Sequence, residues 1–297
     1  MDTVAFLGIG LMGAPMAQRL AQAGYRVQAW NRTPAKANAL ASAGAHPAAS
    51  IAEAVRGARH VVSMLSDGAA VAACVGQALP ALASGTLWID MSSTAHAEAL
   101  ALAAQLQAQG MRFVDAPVSG EVAGAQAGTL AIMVGGTPED VAEAVPLLGV
   151  FGTPRRVGPA GSGQVAKLCN QLIVGATLAV VAEALLLAQA AGAEPAAVRE
   201  AIRGGFAGSR ILEVHGQRML DRQFLPGGQV KTQLKDMHNI LAAAGDAGLH
   251  LPMTETATRQ YAAIVDTLPQ ADHAAALIAL ERMNPGCRLG AQPDQLP

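Results

Sequence analysis

The stretch Val4-Ala5-Phe6-Leu7-Gly8-Ile9-Gly10-Leu11-Met12-Gly13 decides the fold. Four apolar residues run into a Gly-x-Gly-x-x-Gly turn, and residues 12–23 then carry a helical pattern. The three glycines have separate physical uses. Gly8 permits the tight turn, Gly10 lets backbone approach a pyrophosphate, and Gly13 lets helix and strand pack closely. The helix N-terminus adds unpaired N–H donors and positive dipole charge, which favour an anion. With 32 glycines in the chain, the motif alone is weak. The strand before it and the helix after it make it strong. The turn therefore reads as a dinucleotide phosphate site, with Gly8, Ile9, Gly10, Leu11, Met12 and Gly13 against the cofactor. Met16, four residues beyond Met12, reads with it as core packing.

Outward from that unit the pattern repeats. Residues 26–30, 60–65, 86–90, 111–115 and 130–134 read as strands. Helices are predicted over residues 34–43, with Thr33 as N-cap, over 69–82 and 94–109, and from Pro138. Strand and helix alternating at this spacing predict βαβ units and a mostly parallel sheet. After Gly161-Ser162-Gly163 no convincing β-run follows. Helical segments cover residues 164–191, a stretch opening at Pro195, then 210–220, 230–247 and 252–267, reaching about Met283. The tail from Asn284, with Pro285, Gly286, Gly290, Pro293 and Pro297, is expected to be loose. The expected fold is an α/β Rossmann-like N-terminal domain over residues 1–162 and an all-α C-terminal domain over 163–297.

Composition narrows the partners. Hydrophobic residues make up 52% and charged residues 14%, the balance of a well-buried globular chain. Lys plus Arg is 20 and Asp plus Glu is 22, a net charge of −2. Such a chain has no electrostatic footprint for nucleic acid or an anionic membrane. Aromatic residues, at 3%, give no stacking platform for single strands. Cys74, Cys169 and Cys287 lack metal or redox spacing, so a reducing, cytoplasmic setting is expected. The 7 histidines are scattered, and no metal site is expected. The N-terminus lacks the basic and apolar regions of a signal peptide. Residues 172–191 are strongly apolar, but Glu183 within them and Asn170 and Gln171 before them favour a core helix over a membrane span.

The residue that reads the adenosine ribose falls about 20 residues past the glycine turn. Here it is Asn31. An NAD-selective site wants a carboxylate there. Asn31 has no charge to repel a 2′-phosphate, while Arg32 can pair with one, Thr33 can donate to it, and Lys36 adds charge. NADP(H) is favoured over NAD(H).

Four stretches, in order, resemble the β-hydroxyacid dehydrogenase family. They are Phe6 through Gly13, Asp115-Ala116-Pro117-Val118-Ser119-Gly120, Gly161-Ser162-Gly163-Gln164-Val165-Ala166-Lys167-Leu168-Cys169-Asn170-Gln171, and Leu234-Lys235-Asp236. The likeness covers nearly all of the chain to about Met283, and residues 201–209 are most similar to the family's tartronate semialdehyde reductases. The resemblance implies an oxidoreductase interconverting a small hydroxy acid and its semialdehyde or keto form. Tartronate semialdehyde, 3-hydroxyisobutyrate and glyoxylate-like compounds are the implied substrates. It assigns general acid–base work to Lys167 with Asn170, and substrate binding to Ser119, Gly120, Lys167 and Asn170. It places Lys235 at the nicotinamide, has Leu65, Ser66 and Thr94 line the cofactor cleft, and implies a homodimer or homotetramer. Two positions depart: the family commonly has Pro where Ser66 stands and a small residue where Glu121 follows Gly120. The second departure leaves the substrate's identity open.

The residues support this reading on their own terms. Lys167 and Asn170, three apart, share a helix face. Lys167 lies near the positive end of its helix among Val165, Ala166 and Leu168, and both conditions push a lysine's pKa down toward the general-acid range. Ser119-Gly120 follows the strand at 111–115, at the carboxyl end of the sheet where α/β folds bind ligands. Two other readings remain. One is an imine reductase of the same fold, although that group generally lacks the lysine. The other is a non-catalytic nucleotide-binding regulator, which has no use for Lys167 and Asn170 together.

Overall fold

Apolar runs form the strands of the N-terminal part, and alanine-rich stretches form its helices. In chain order they are β1 (Thr3–Leu7), α1 (Gly13–Gln22), β2 (Arg26–Trp30), α2 (Pro34–Asn38), β3 (His46–Pro47), α3 (Ile51–Val55), β4 (His60–Ser63) and α4 (Gly68–Ala78). Then follow β5 (Leu87–Asp90), α5 (His96–Ala108), β6 (Arg112–Asp115), β7 (Val118–Ser119), α6 (Glu121–Ala127), β8 (Leu130–Gly135), α7 (Pro138–Leu148) and β9 (Gly152–Gly158). The structure, a computed structural model, describes residues 2–297 and divides into two units, the first ending at Lys167 and the second starting at Leu168.

Among the described residues, 9 strands form one sheet in the order β3-β2-β1-β4-β5-β6-β8-β7, with β9 against β8. From β3 to β6 every pair is parallel, and β8 then runs antiparallel to β6 and β7. The order reverses between β1 and β4, so a switch point opens at the carboxyl ends of those strands. Apolar layers cover both faces. Phe6, Met16, Leu20, Ile89 and Phe151 belong to one, and Leu7, Val55, Val61, Trp88 and Phe113 to the other. Burial on both faces explains why β1, β4 and β5 read as near-continuous apolar runs.

Several boundaries differ from the sequence expectation. The helix expected over 34–43 stops at Asn38, and a 3-10 turn covers Ala41–Ala43. Thr33 stands at its N-cap but makes no side-chain capping bond. α3 is a further helix, started by a side-chain cap: Glu53 N–H donates to Ser50 Oγ (3.1 Å), and Glu53 Oε2 accepts Ala49 N–H just before it (2.8 Å). β9 is a further strand, and its Pro154, Arg155 and Arg156 gave no strand-like period.

The helices that follow are α8 (Ser162–Ala190), α9 (Pro195–Arg203), α10 (Arg210–Leu220), α11 (Val230–Asp246), α12 (Pro252–Val265) and α13 (Ala276–Met283). The second unit's core includes Leu178, Leu185, Met219, Phe224, Met237, Tyr261 and Leu277. α8 is long and apolar enough to cross a membrane by length and composition alone, yet one side of it is part of this core. Its other side stays apolar: Ile173, Val180 and Leu187, seven apart, form an exposed stripe.

The tail from Asn284 is not loose. Leu289 is fully buried, and the buried Arg222 pairs with both Glu281 and Asp294. Phe224 N–H donates to the Gln295 carbonyl and Gln295 N–H to the Arg222 carbonyl, both at 2.9 Å. The Pro and Gly content misled, because the segment's order comes from partners far away in sequence.

Candidate active site

The glycine turn follows β1. Gly8 has φ +104°, and a Cβ there would collide with the Met64 carbonyl. A Cβ at Gly13 would collide with the Gly8 carbonyl, so the start of α1 sits hard against the turn. Gly10 differs: a Cβ there would meet nothing within 4 Å, so the space beside this residue is open. α1 starts with no side-chain cap and no acidic residue in its first turn. Its terminal N–H groups can therefore serve an anion. Asn31, after β2, braces the turn. Its Oδ1 accepts Ile9 N–H (2.9 Å) and its Nδ2 donates to the Thr33 carbonyl (3.0 Å). Arg32, Thr33 and Lys36 are exposed, and Arg32 has no ion-pair partner among the described residues. A tight turn, open space and an uncapped helix end fit a dinucleotide. When bound, this cofactor would be held by the turn and by the 31–33 loop.

A row of polar residues ends the neighbouring strands. Ser63 on β4, Asp90 on β5 and Asp115 on β6 are direct register partners, and all three are fully or almost fully buried. Asp90 Oδ1 accepts Ser63 Oγ–H (2.8 Å) and Ser92 N–H (3.2 Å), while Ser63 Oγ accepts the Trp88 indole N–H (2.9 Å). Ser92 Oγ accepts Leu65 N–H (2.9 Å), which ties the Leu65-Ser66 loop to the 92–94 loop. Burial pushes the Asp90 carboxyl up to about 6, against the bonds from Ser92 and Ser63. Asp115 accepts Gly161 N–H (2.7 Å) and Gln164 N–H (2.8 Å) and so caps the start of α8. Burial raises its pKa, and those backbone bonds pull it back.

Lys167 lies in the second turn of α8 and is only 9% exposed. Asn170 follows one turn later on the same helix, its Nδ2 donating to Gln171 Oε1 (2.8 Å). Thr94 is buried, and its N–H donates to Gln164 Oε1 (3.1 Å). Ser119 ends β7, half-buried, and Gly120 follows with φ +139°. Glu121 then takes φ +56°, the left-handed region that favours glycine, which gives a physical reason for a small residue there. Ser66, the other departure, donates to Asp67 Oδ2 (2.8 Å), and Asp67 caps α4 through Ala70 N–H (2.8 Å).

Within the second unit, Gln171 Nε2 donates to Asp236 Oδ2 (2.9 Å), and Lys235 Nζ lies 3.3 Å from Asp236 Oδ1. Asn170, Gln171, Asp236 and Lys235 thus form one polar chain. Asp236 has no role legible in the sequence, since its burial and its bond to Gln171 come only with the fold. The histidines are less scattered in space than in sequence. The rings of His215 and His273 meet edge to face at 4.7 Å, with His215 Nδ1 3.4 Å from Asp272 Oδ1. Arg218 and the N–H groups of Gly227 and Gly228 already engage Asp272 Oδ2.

Comparison with known proteins identifies the family. Residues 3–169 match the NAD-binding domain of 6-phosphogluconate dehydrogenase, and residues 161–280 match the NAD-binding domain of NADP-dependent 3-hydroxyisobutyrate dehydrogenase. The 2-hydroxy-3-oxopropionate reductase of Escherichia coli is 38% identical over 285 residues, covering 94% of this chain and 97% of that protein. The 3-hydroxyisobutyrate dehydrogenase of Pseudomonas aeruginosa is 37% identical over 82% of this chain and 86% of its own. A solved structure of the Mycobacterium tuberculosis 3-hydroxyisobutyrate dehydrogenase with L-serine superposes with a TM-score of 0.87 at 33% identity, over 94% of this chain and 99% of that one. An imine reductase from Myxococcus stipitatus superposes at 0.65 with 18% identity, a likeness of fold alone. This chain, a Rossmann-like domain followed by a helical one, belongs to the β-hydroxyacid dehydrogenase family and is one of its NAD(P)-dependent oxidoreductases.

Proposed function

We propose that this enzyme reversibly interconverts a small hydroxy acid and its semialdehyde or keto form with NADP(H), reducing a tartronate semialdehyde or glyoxylate-like carbonyl or oxidising a 3-hydroxyisobutyrate-like alcohol. The observation that carries this reading is Lys167, a buried lysine on a helix turn anchored by Asp115 and one turn before Asn170. Ser119, Gly120 and Asn170 orient the substrate's carboxylate and carbonyl. The bound nicotinamide supplies the hydride. Lys167 Nζ donates a proton to the carbonyl oxygen as charge builds on it, and takes the proton back in the oxidation direction. Leu65, Ser66, Thr94 and Lys235 serve the cofactor. Asn31 puts no carboxylate at the ribose, and the exposed Arg32, with no ion pair among the described residues, is available to a 2′-phosphate, which supports NADP(H) over NAD(H).

A panel of semialdehydes, keto acids and imines, followed by NADPH oxidation, tests the reaction class. Turnover confined to imines would favour the imine reductase reading, and no turnover at all the regulator. Lys167→Ala should lower kcat by about 10²–10⁴-fold and change NADPH affinity only a few fold. Lys167→Arg should not rescue it, because a guanidinium holds its proton near neutral pH. Near-normal turnover without Lys167 would overturn the assignment.

The apolar stripe of Ile173, Val180 and Leu187 supports a homodimer or homotetramer in which a second copy covers it. Cys74, Cys169 and Cys287 are all free, which suits a reducing, cytoplasmic setting.

A further inference from the structure

We propose that Gln164 is a positioning residue that sets Lys167 against the cofactor-side loop of Thr94. The inference rests on the reading of Lys167 as proton donor. Gln164 is fully buried in the first turn of α8, three residues before Lys167. Three of its polar groups are spent on fixed partners. Its backbone N–H donates to Asp115 Oδ2 (2.8 Å), its Oε1 accepts Thr94 N–H (3.1 Å), and its Nε2 donates to the Ser92 carbonyl (2.8 Å).

The side-chain amide thus pairs with main chain as a neighbouring strand would, one acceptor and one donor at once. A buried amide is retained at such a place only when both bonds are made. The 92–94 loop is itself fixed at its other end, where Ser92 N–H meets Asp90 and Ser92 Oγ meets Leu65 N–H. Gln164 therefore joins the turn that carries the proton donor to the loops assigned to the cofactor. Proton and hydride delivery depend on that separation, and a misplacement of about 1 Å can cost about 10²-fold in rate.

The test uses the full-length enzyme with NADPH and the best substrate of the panel. Gln164→Met keeps the bulk and removes both side-chain bonds. It should lower kcat by roughly 10–100-fold while KM for NADPH moves less than about threefold. Combined with Lys167→Ala it should lower kcat no further than Lys167→Ala alone, within about twofold, because both changes act on one event. A kcat for Gln164→Met within about twofold of the parent, or a full multiplicative loss in the double variant, would overturn the proposal. Should Lys167→Ala itself turn over normally, the fault lies in the proton-donor reading instead.

Gln164→Glu serves if the methionine variant does not fold. Its protonated carboxyl can accept from Thr94 and donate to Ser92 as the amide does, and its carboxylate cannot donate. The buried Asp115 and Asp90 around this turn favour the protonated form, and Lys167 on the same helix opposes it. The ratio of its kcat to the parent's should rise at least about fivefold as pH falls from about 8 to about 6. A flat ratio would count against positioning by these two bonds.

Discussion

Replacing Asp90 with Asn tests whether burial, rather than its hydrogen bonds, governs this carboxyl. Burial lifts its pKa to about 6 from an ordinary 3.8. Between those values the folded chain holds a proton that the unfolded chain has released, so stability falls as pH rises. The contribution is fully present below about pH 4 and lost as pH climbs through 6. A difference of roughly 2 pH units at 1.36 kcal/mol each gives about 3 kcal/mol. Asp90→Asn cannot titrate and keeps the Oδ1 acceptor. Its amide nitrogen replaces an Oδ2 that has no hydrogen-bond partner among the described residues, a cost that is constant with pH. Urea unfolding of both chains between pH 4.5 and 7.5, followed by tryptophan fluorescence, gives the comparison. Both tryptophans, Trp30 and Trp88, lie in the first unit, so the signal reports the unit that holds Asp90. Subtracting the two profiles cancels the other carboxylates. The parent's advantage over the variant should shrink by about 2 kcal/mol across that range, the rest of the effect lying below pH 4.5. A difference flat to about 0.5 kcal/mol would refute the burial argument.

Arg32→Ala should weaken NADPH binding by at least about tenfold and leave NADH within about twofold, as charge-assisted bonds to a phosphate are worth about 1.5–3 kcal/mol. Equal losses for both cofactors, measured by titration, would remove Arg32 from the 2′-phosphate. Leu289→Ala should destabilise the second unit by about 2–4 kcal/mol, read from denaturant unfolding by circular dichroism. A loss under about 0.5 kcal/mol would mean that the tail does not share the core. Light scattering at micromolar concentration should return a multiple of 30.1 kDa, and a monomer would leave the α8 stripe without its second copy.

What the sequence revealed depends on how local each signal is. β1 and its glycine turn were legible because an apolar run and three spaced glycines are read within ten residues. β9 was not, since its exposed side chains and its Pro154 carry no period, and it exists only by pairing with β8. The cap on α3 was local and readable, but a five-residue helix is easily passed over. Lys167 and Asn170 could be placed on one face by counting. The anchoring bonds of Asp115 and Gln164, and the bond by which Asn31 braces Ile9, could not, because those partners stand between 22 and 72 residues away. Asp236 lay in a recognisable tripeptide, yet its bond to Gln171 spans 65 residues.

The strand-end carboxylates act as sockets that ignore spelling. Asp115 grips the N–H groups of Gly161 and Gln164, and Asp90 grips that of Ser92. A backbone N–H is the same for almost every amino acid, proline excepted. Loops held this way can change their side chains, and with them the substrate they greet, without losing their shape. The burden of invariance falls on the two acids instead. Diversification of this scaffold toward new hydroxy acids should therefore be easier at a position such as Ser162 than at either strand end, whereas Ser92 is held by its own Oγ bond to Leu65 N–H, Gly161 by its φ of +88°, and Gly163 by the Asp115 and Met133 carbonyls that a Cβ would strike.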